Sequence, residues 1–133
     1  MQTEFESTGD IHDLIRMVDT LLGEDGCPWD RKQTIEDFTK YVRNESREVL
    51  DAIEANDWDN LCEEVGDLMF LCVFLSRVAE KEGRFTLKES VEHLIEKMIR
   101  RHPHVFSDTK VSGPDEVVDN WNEIKKREKG EHE

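Results

Sequence analysis

The sequence predicts an all-α fold, a helical bundle of four to five helices. Apolar residues recur at helical period in successive segments, and capping residues with a glycine or proline stop bracket most of them. No strand-like alternation runs long enough to build a sheet. At 133 residues the chain suits one domain over residues 1–133, with a core at about residues 11–125 and polar, frayed ends.

In the first helix Ile11, Leu14, Ile15, Val18, Leu21 and Leu22 form the stripe, Thr8 or Asp10 supplies the cap and Gly23 the stop. Residues 23–33 read as a loop, because two glycines and Pro28 interrupt any period. Trp29 within it either plugs the edge of the core or walls a pocket. Thr34 and Asp37 form a variant capping box for a second helix reaching about Ala55. A turn at residues 56–59 leads to a third helix, from about Asn60 to Lys81. Its segment at residues 68–75 is apolar on every side, which predicts cover by a second copy of the chain. Gly83 ends that helix, and Thr86 with Glu89 caps a fourth carrying Val91, Leu94, Ile95, Met98 and Ile99. Pro103 stops it, with His102 and His104 beside it as structural or exposed residues. After a loop at residues 105–113, Pro114 opens a last helix with Val117, Val118, Trp121 and Ile124, and the polar stretch from Lys125 is expected to fray.

Composition narrows the function. With 32 acids against 18 bases the net charge is −14, which repels nucleic acid polymers and anionic membranes. A small anionic substrate stays compatible if metal ions neutralise it locally. Cys27, Cys62 and Cys72 are odd in number and make no C-x-x-C pair, which fits a reducing, cytoplasmic location rather than a disulfide framework. The first ten residues lack the apolar core of a signal peptide, and the longest apolar run, eight residues, is too short to span a bilayer.

Residues 41–67 carry the chemistry. Glu45 and Glu48 lie three apart on the second helix and Glu64 and Asp67 three apart on the third, so each pair shares one helix face. Phe38, Val42, Val49 and Ile53 mark the second helix's apolar stripe, with Glu45 inside it. Leu61, Val65, Leu68 and Cys72 mark the third helix's stripe, with Glu64 and Asp67 at its margin. Carboxylates on apolar stripes call for compensation by cations or metals, and four of them suit a hard divalent ion such as Mg²⁺, with Mn²⁺ a substitute. The competing reading is solvated acidic faces, which a chain that is 38% charged also produces. Lys97, Arg100 and Arg101 stand in the last turns of the fourth helix, where the dipole favours cations and where phosphate could also be held. The Glu-x-x-His pairs of di-iron bundles and the P-loop are both missing from the sequence.

The strings Gly26-Cys27-Pro28-Trp29-Asp30, Glu45-x-x-Glu48, Glu63-Glu64-Val65-Gly66-Asp67-Leu68 and Arg100-Arg101-His102-Pro103-His104-Val105-Phe106 closely resemble the MazG family of nucleoside triphosphate pyrophosphohydrolases. The resemblance covers residues 11–125. It implies an all-α, Mg²⁺-dependent enzyme that cleaves nucleoside triphosphates to monophosphate and pyrophosphate, in house-cleaning or control of the nucleotide pool. It also implies oligomers built from helix pairs; the all-round apolar segment at residues 68–75 makes a homodimer the default and a dimer of dimers the next possibility. By position Glu45, Glu48, Glu64 and Asp67 match the metal ligands and catalytic acids, and Lys97, Arg100, Arg101 and Trp121 match nucleotide-binding positions. Asn44 departs from the family pattern, in which a second Glu often precedes the first pair. Two other readings stay open: a weakly active or non-catalytic nucleotide-binding or oligomerisation module, and a related all-α dUTP or dCTP hydrolase.

Overall fold

The structure, a computed structural model, describes residues 5–131. The frayed ends expected at residues 1–4 and 132–133 lie outside the described residues. Among the described residues the fold is all-α, with five long helices and two single-turn ones. They fall into two compact units, residues 5–87 and 88–131 of those described.

In the first unit, α1 (Ile11–Leu22) starts at Asp10, whose side chain accepts from the His12 backbone N–H, as an N-cap should. The chain then turns at Gly26, where an added Cβ would lie 2.2 Å from the Leu21 carbonyl oxygen, so a residue without a side chain is required. That turn delivers α2 (Pro28–Arg31), a single turn opened by proline inside the stretch that reads as loop. Its brevity explains the discrepancy, since four residues carry no apolar period. Thr34 and Asp37 do form the capping box, but around a 3₁₀ turn, Ile35–Asp37, from which α3 (Phe38–Glu54) continues. Asn56 takes the left-handed conformation (φ 54°) and Asp57 caps α4 (Trp58–Lys81) by accepting from the Asn60 N–H. The third helix therefore begins two residues before Asn60.

The core of this unit is Val18 from α1, Phe38 from the start of α3, and Leu71, Val73, Phe74 and Val78 from α4. Phe38 meets Phe74 with ring centroids 5.1 Å apart, and Phe70 meets Phe74 at 5.7 Å, both edge to face. Arg77 ties α4 back to α1 through a two-pronged contact with the Asp19 carboxylate, at 2.8 and 3.2 Å. Of the all-apolar segment, Leu71, Val73 and Phe74 are buried, whereas Met69 and Cys72 are exposed together with Val65. The uncovered line is thus Val65, Met69 and Cys72, and neither Phe70 nor Phe74 lies on it.

The second unit is built on α5 (Leu87–Arg101), the single turn α6 (Pro103–Phe106) and α7 (Pro114–Glu131). Pro103 ends α5 and also opens α6, which occupies the start of the expected loop. The polar stretch from Lys125 is helical through Glu131. His102 sets its ring edge to face on Trp121, centroids 5.3 Å apart, with its Nδ1 2.6 Å from the Met98 carbonyl oxygen, so it is structural.

Phe74 sits at the centre of the first unit's aromatic block and is 4% exposed. Truncation to alanine should cost about 3–5 kcal/mol, read as a lower urea midpoint at unchanged slope.

Candidate metal centre

A connection of three residues makes α3 and α4 neighbours that run antiparallel. The aromatic contact of Phe38 with Phe74 sets their register. Seven residues on from Phe38 along α3 stands Glu45, and seven back from Phe74 along α4 stands Asp67. Three further in the same directions stand Glu48 and Glu64. The mirrored spacing brings all four acids together: one ligand oxygen from each lies within 4.8 Å of the others. Glu45 and Glu64 are half-buried, Glu48 and Asp67 exposed, so the cluster opens to solvent on one side.

Its electrostatics are unfavourable without a cation. Burial pushes the Glu45 carboxyl above its usual range, and the charges of Glu48 and Asp67 push the same way. Glu64 is raised to about 7, first by a hydrogen bond to Glu48, then by desolvation and by the charges of Glu48, Asp67 and Glu45. The Oε2 atoms of Glu45 and Glu64 are buried with no hydrogen-bond partner. Unpartnered carboxylate oxygens in an all-oxygen donor set fit a hard divalent cation, which would satisfy both at once.

A cleft of about 310 Å³ adjoins the cluster, with Glu45 and Asp67 in its wall beside Trp29, Phe38, Tyr41, Phe70 and Phe74. Trp29 accordingly walls a pocket, the second of its two sequence readings. Gln33 and Tyr41, which sequence reasoning passed over, line the same cleft. Tyr41 had a readable signal, since it sits three residues after Phe38 and four before Glu45 on one helix face. Gln33 had none: a polar residue at the end of an irregular stretch gives no sign of being 8% exposed.

The remaining sequence candidates lie in the second unit. Arg100 and Arg101 both donate to the Glu128 carboxylate, with contacts of 2.9 Å each. The Arg101 guanidinium also lies 5.0 Å from the Trp121 ring centroid. Lys97 is half-buried one turn earlier on α5.

Comparison with known proteins bears on the whole arrangement. The family model for the MazG nucleotide pyrophosphohydrolase domain matches residues 33–106, more than half of the chain. The chain belongs to the MazG family. That match contains the four acids together with Lys97, Arg100 and Arg101, whereas Trp121 lies beyond it. The chain is 43% identical over 108 residues to the nucleoside triphosphate pyrophosphohydrolase of Escherichia coli K12, covering 81% of this chain and 41% of that protein. It is 39% identical over 118 residues to the Thermotoga maritima nucleoside triphosphate pyrophosphohydrolase/pyrophosphatase MazG, covering 89% of this chain and 45% of that one. This MazG chain therefore spans less than half the length of these curated relatives. It is also similar to the crystal structure of a mazG-related protein from Thermotoga maritima, with a TM-score of 0.74 at 30% identity, covering 86% of this chain and 98% of that one.

The raised Glu64 sets the pH behaviour of the metal-free MazG chain. Between about 4.5 and about 7 the folded state holds a proton that the unfolded chain has released, so stability falls as pH rises through that window. Melting temperatures in EDTA should therefore decline from pH 5 to pH 8, and a divalent cation should flatten the decline. A melting temperature that rises over this range would contradict the assignment.

Proposed function

We propose that this protein is a hydrolase acting on a phosphoric anhydride, cleaving nucleoside triphosphates, ribo or deoxy, between the α and β phosphates to give monophosphate and pyrophosphate. The observation that carries the reading is the four-carboxylate cluster on α3 and α4, within the region matched by a pyrophosphohydrolase family. The names of the Escherichia coli and Thermotoga maritima relatives support the reaction class.

Glu45, Glu48, Glu64 and Asp67 would hold Mg²⁺, with Mn²⁺ as its substitute; the small, hard ion suits an all-carboxylate set. When bound, it supplies charge neutralisation for phosphate oxygens and acidifies water. The chain's own part is to hold the acids in place on two packed helices and to exchange the proton at Glu64 for the cation. Lys97, Arg100 and Arg101 would hold phosphate, Arg through its planar fork, and Trp121 would serve the nucleotide. Support comes from Arg100 and Arg101 already binding one carboxylate, Glu128, together. Control of the nucleotide pool in the cytoplasm is the setting we infer, supported by the net charge of −14, which disfavours nucleic acid and anionic membrane. No helix among the described residues is long and apolar enough to cross a membrane.

We further propose a homodimer or dimer of dimers. Val65 and Met69 on α4 and Val91, Leu94, Ile95 and Ile99 on α5 are all at least 41% exposed, more apolar surface than a lone small domain usually leaves wet. A two-fold pairing needs only one self-complementary patch. Met69, 41% exposed, is the informative outward position on the all-apolar segment.

Product analysis tests the reaction: with Mg²⁺, nucleoside triphosphate should yield monophosphate and pyrophosphate, and Glu48→Gln should lower the rate at least about 100-fold with helicity retained. Release of orthophosphate and diphosphate instead would reject the mechanism. In light scattering, Met69→Glu should shift the particle mass towards the monomer, whereas a compact, fully active wild-type monomer at micromolar concentration would overturn the association.

A further inference from the structure

A second cavity of the first unit, about 420 Å³, lies between α1, α2 and α4, and its wall includes none of the four acids of the metal centre. The charged side chains lining it are Arg31, Arg77, Lys81 and Asp19, three cations to one acid in a chain whose net charge is −14. Asp19 does not offset the excess, because Arg77 takes both of its oxygens, Oδ1 from Nε at 2.8 Å and Oδ2 from Nη2 at 3.2 Å. Arg77 donates through Nη1 to Glu80 as well, at 2.9 Å, so its own charge is already matched.

Arg31 and Lys81 stand differently. Arg31 donates through Nη1 to the Glu24 carbonyl at 3.2 Å, and Lys81 donates through Nζ to the Arg31 carbonyl at 3.3 Å. A carbonyl oxygen accepts a hydrogen bond but brings no charge to balance a cation, and each side chain keeps further N–H groups beyond the one it spends. The ion pairs at this cavity are those of Arg77; neither Arg31 nor Lys81 joins one among the described residues. Gln33 completes the polar wall, 8% exposed, with its Nε2 donating to the Trp29 carbonyl at 2.8 Å. The same Gln33 lines the aromatic cleft beside Glu45 and Asp67, and Arg31 shares the single turn α2 with Trp29. One buried amide and one helical turn thus connect this cavity with the cleft of the metal centre.

We propose that this cavity is an anion site in which Arg31 and Lys81 together hold a small oxyanion of the phosphate class, free phosphate or pyrophosphate, without a metal ion. Two unmatched cations on one wall call for a ligand with more than one negative charge. A phosphate group meets that need with several acceptor oxygens, which a planar guanidinium fork and a compact ammonium can engage together. The volume suits a small molecule, since ligand sites span about 300–1,000 Å³. An anion is repelled by most of so acidic a surface, which makes a local excess of cations selective for it. An anion that draws on Arg31 pulls on α2, and Trp29 on that turn carries the occupancy to the cleft wall. The proposal stands independently of the hydrolase reading.

Calorimetry with inorganic pyrophosphate in EDTA tests the site with no metal, nucleotide or turnover present. The wild type should bind, and Lys81→Gln and Arg31→Gln should each weaken binding at least about tenfold with helicity unchanged, as loss of a charge-assisted contact predicts. Lys81→Arg should keep the affinity, and so should Glu48→Gln, which alters the metal centre alone. Binding should also change the tryptophan fluorescence, a change that Trp29→Phe should remove while the calorimetric affinity stays. Absence of binding by the wild type at millimolar pyrophosphate, or equal binding by the wild type and a variant lacking both cations, would overturn the site. Loss of binding in Arg100→Ala with full binding in Lys81→Gln would give the anion to the cations of α5 and overturn it too. A fluorescence change that survives in Trp29→Phe would overturn the link to the cleft. Inorganic phosphate and ribose 5-phosphate, titrated in parallel, separate the two sources of a phosphate group: tighter phosphate supports a free anion, and tighter ribose 5-phosphate would overturn that assignment. Nucleotide hydrolysis with Mg²⁺ is a separate assay, so failure of either reading leaves the other standing.

Discussion

Everything in the first unit answers to one electrostatic constraint: four carboxylates within 4.8 Å of one another must be held together against their mutual repulsion. The hydrogen bond to Glu48, burial and the charges of Glu48, Asp67 and Glu45 raise the Glu64 carboxyl to about 7, which relieves part of that repulsion when no cation is bound. A cation bound among the four acids would compete with that proton. A site that exchanges one for the other is coupled to pH by construction.

The force that opposes the repulsion is apolar and lies away from it. Phe38, Phe70, Phe74 and Leu71 pack α3 on α4 one to two turns from the acids, and Arg77 ties α4 to Asp19 on α1. Because burial there fixes the helix register, the acids have nowhere to diverge. The same packing leaves the rings of the block facing the acidic end of the cleft, so core and site share side chains. Gly26 contributes at a distance, since the tight approach to Leu21 that it permits is what lets α2 present Trp29 to that cleft.

The fold class and the grouping of the four acids were legible because both depend on local period. Three-residue spacing fixes a shared helix face whatever the tertiary context. The phase of the stripes was less legible. Val42, Ile53, Val65 and Cys72 are apolar and correctly spaced, yet exposed, while the covered line on α3 runs through Phe38, Tyr41, Glu45 and Ala52. The stripe drawn through Phe38, Val42, Val49 and Ile53 takes in Glu45 but misses Tyr41 and Ala52, through which the covered line runs. The mirrored spacing, aromatic to acid to acid on one helix and the reverse on the next, was present in the sequence and is a sharper signal than either pair. The single turns α2 and α6 were not legible, being set by proline and local closure rather than by any repeating pattern. Nor was the pairing of Arg100 and Arg101 with Glu128, because contacts between residues 27 and 28 positions apart have no local signature.

The central claim is that Glu45, Glu48, Glu64 and Asp67 converge in order to hold a divalent cation. Anomalous scattering from crystals grown with Mn²⁺ addresses it directly, since the ion reports its own position. The account predicts a manganese peak among the four carboxylates at about 2.0–2.4 Å from their oxygens, lost in Glu48→Gln. A cluster free of manganese in crystals that hold the ion elsewhere would contradict it.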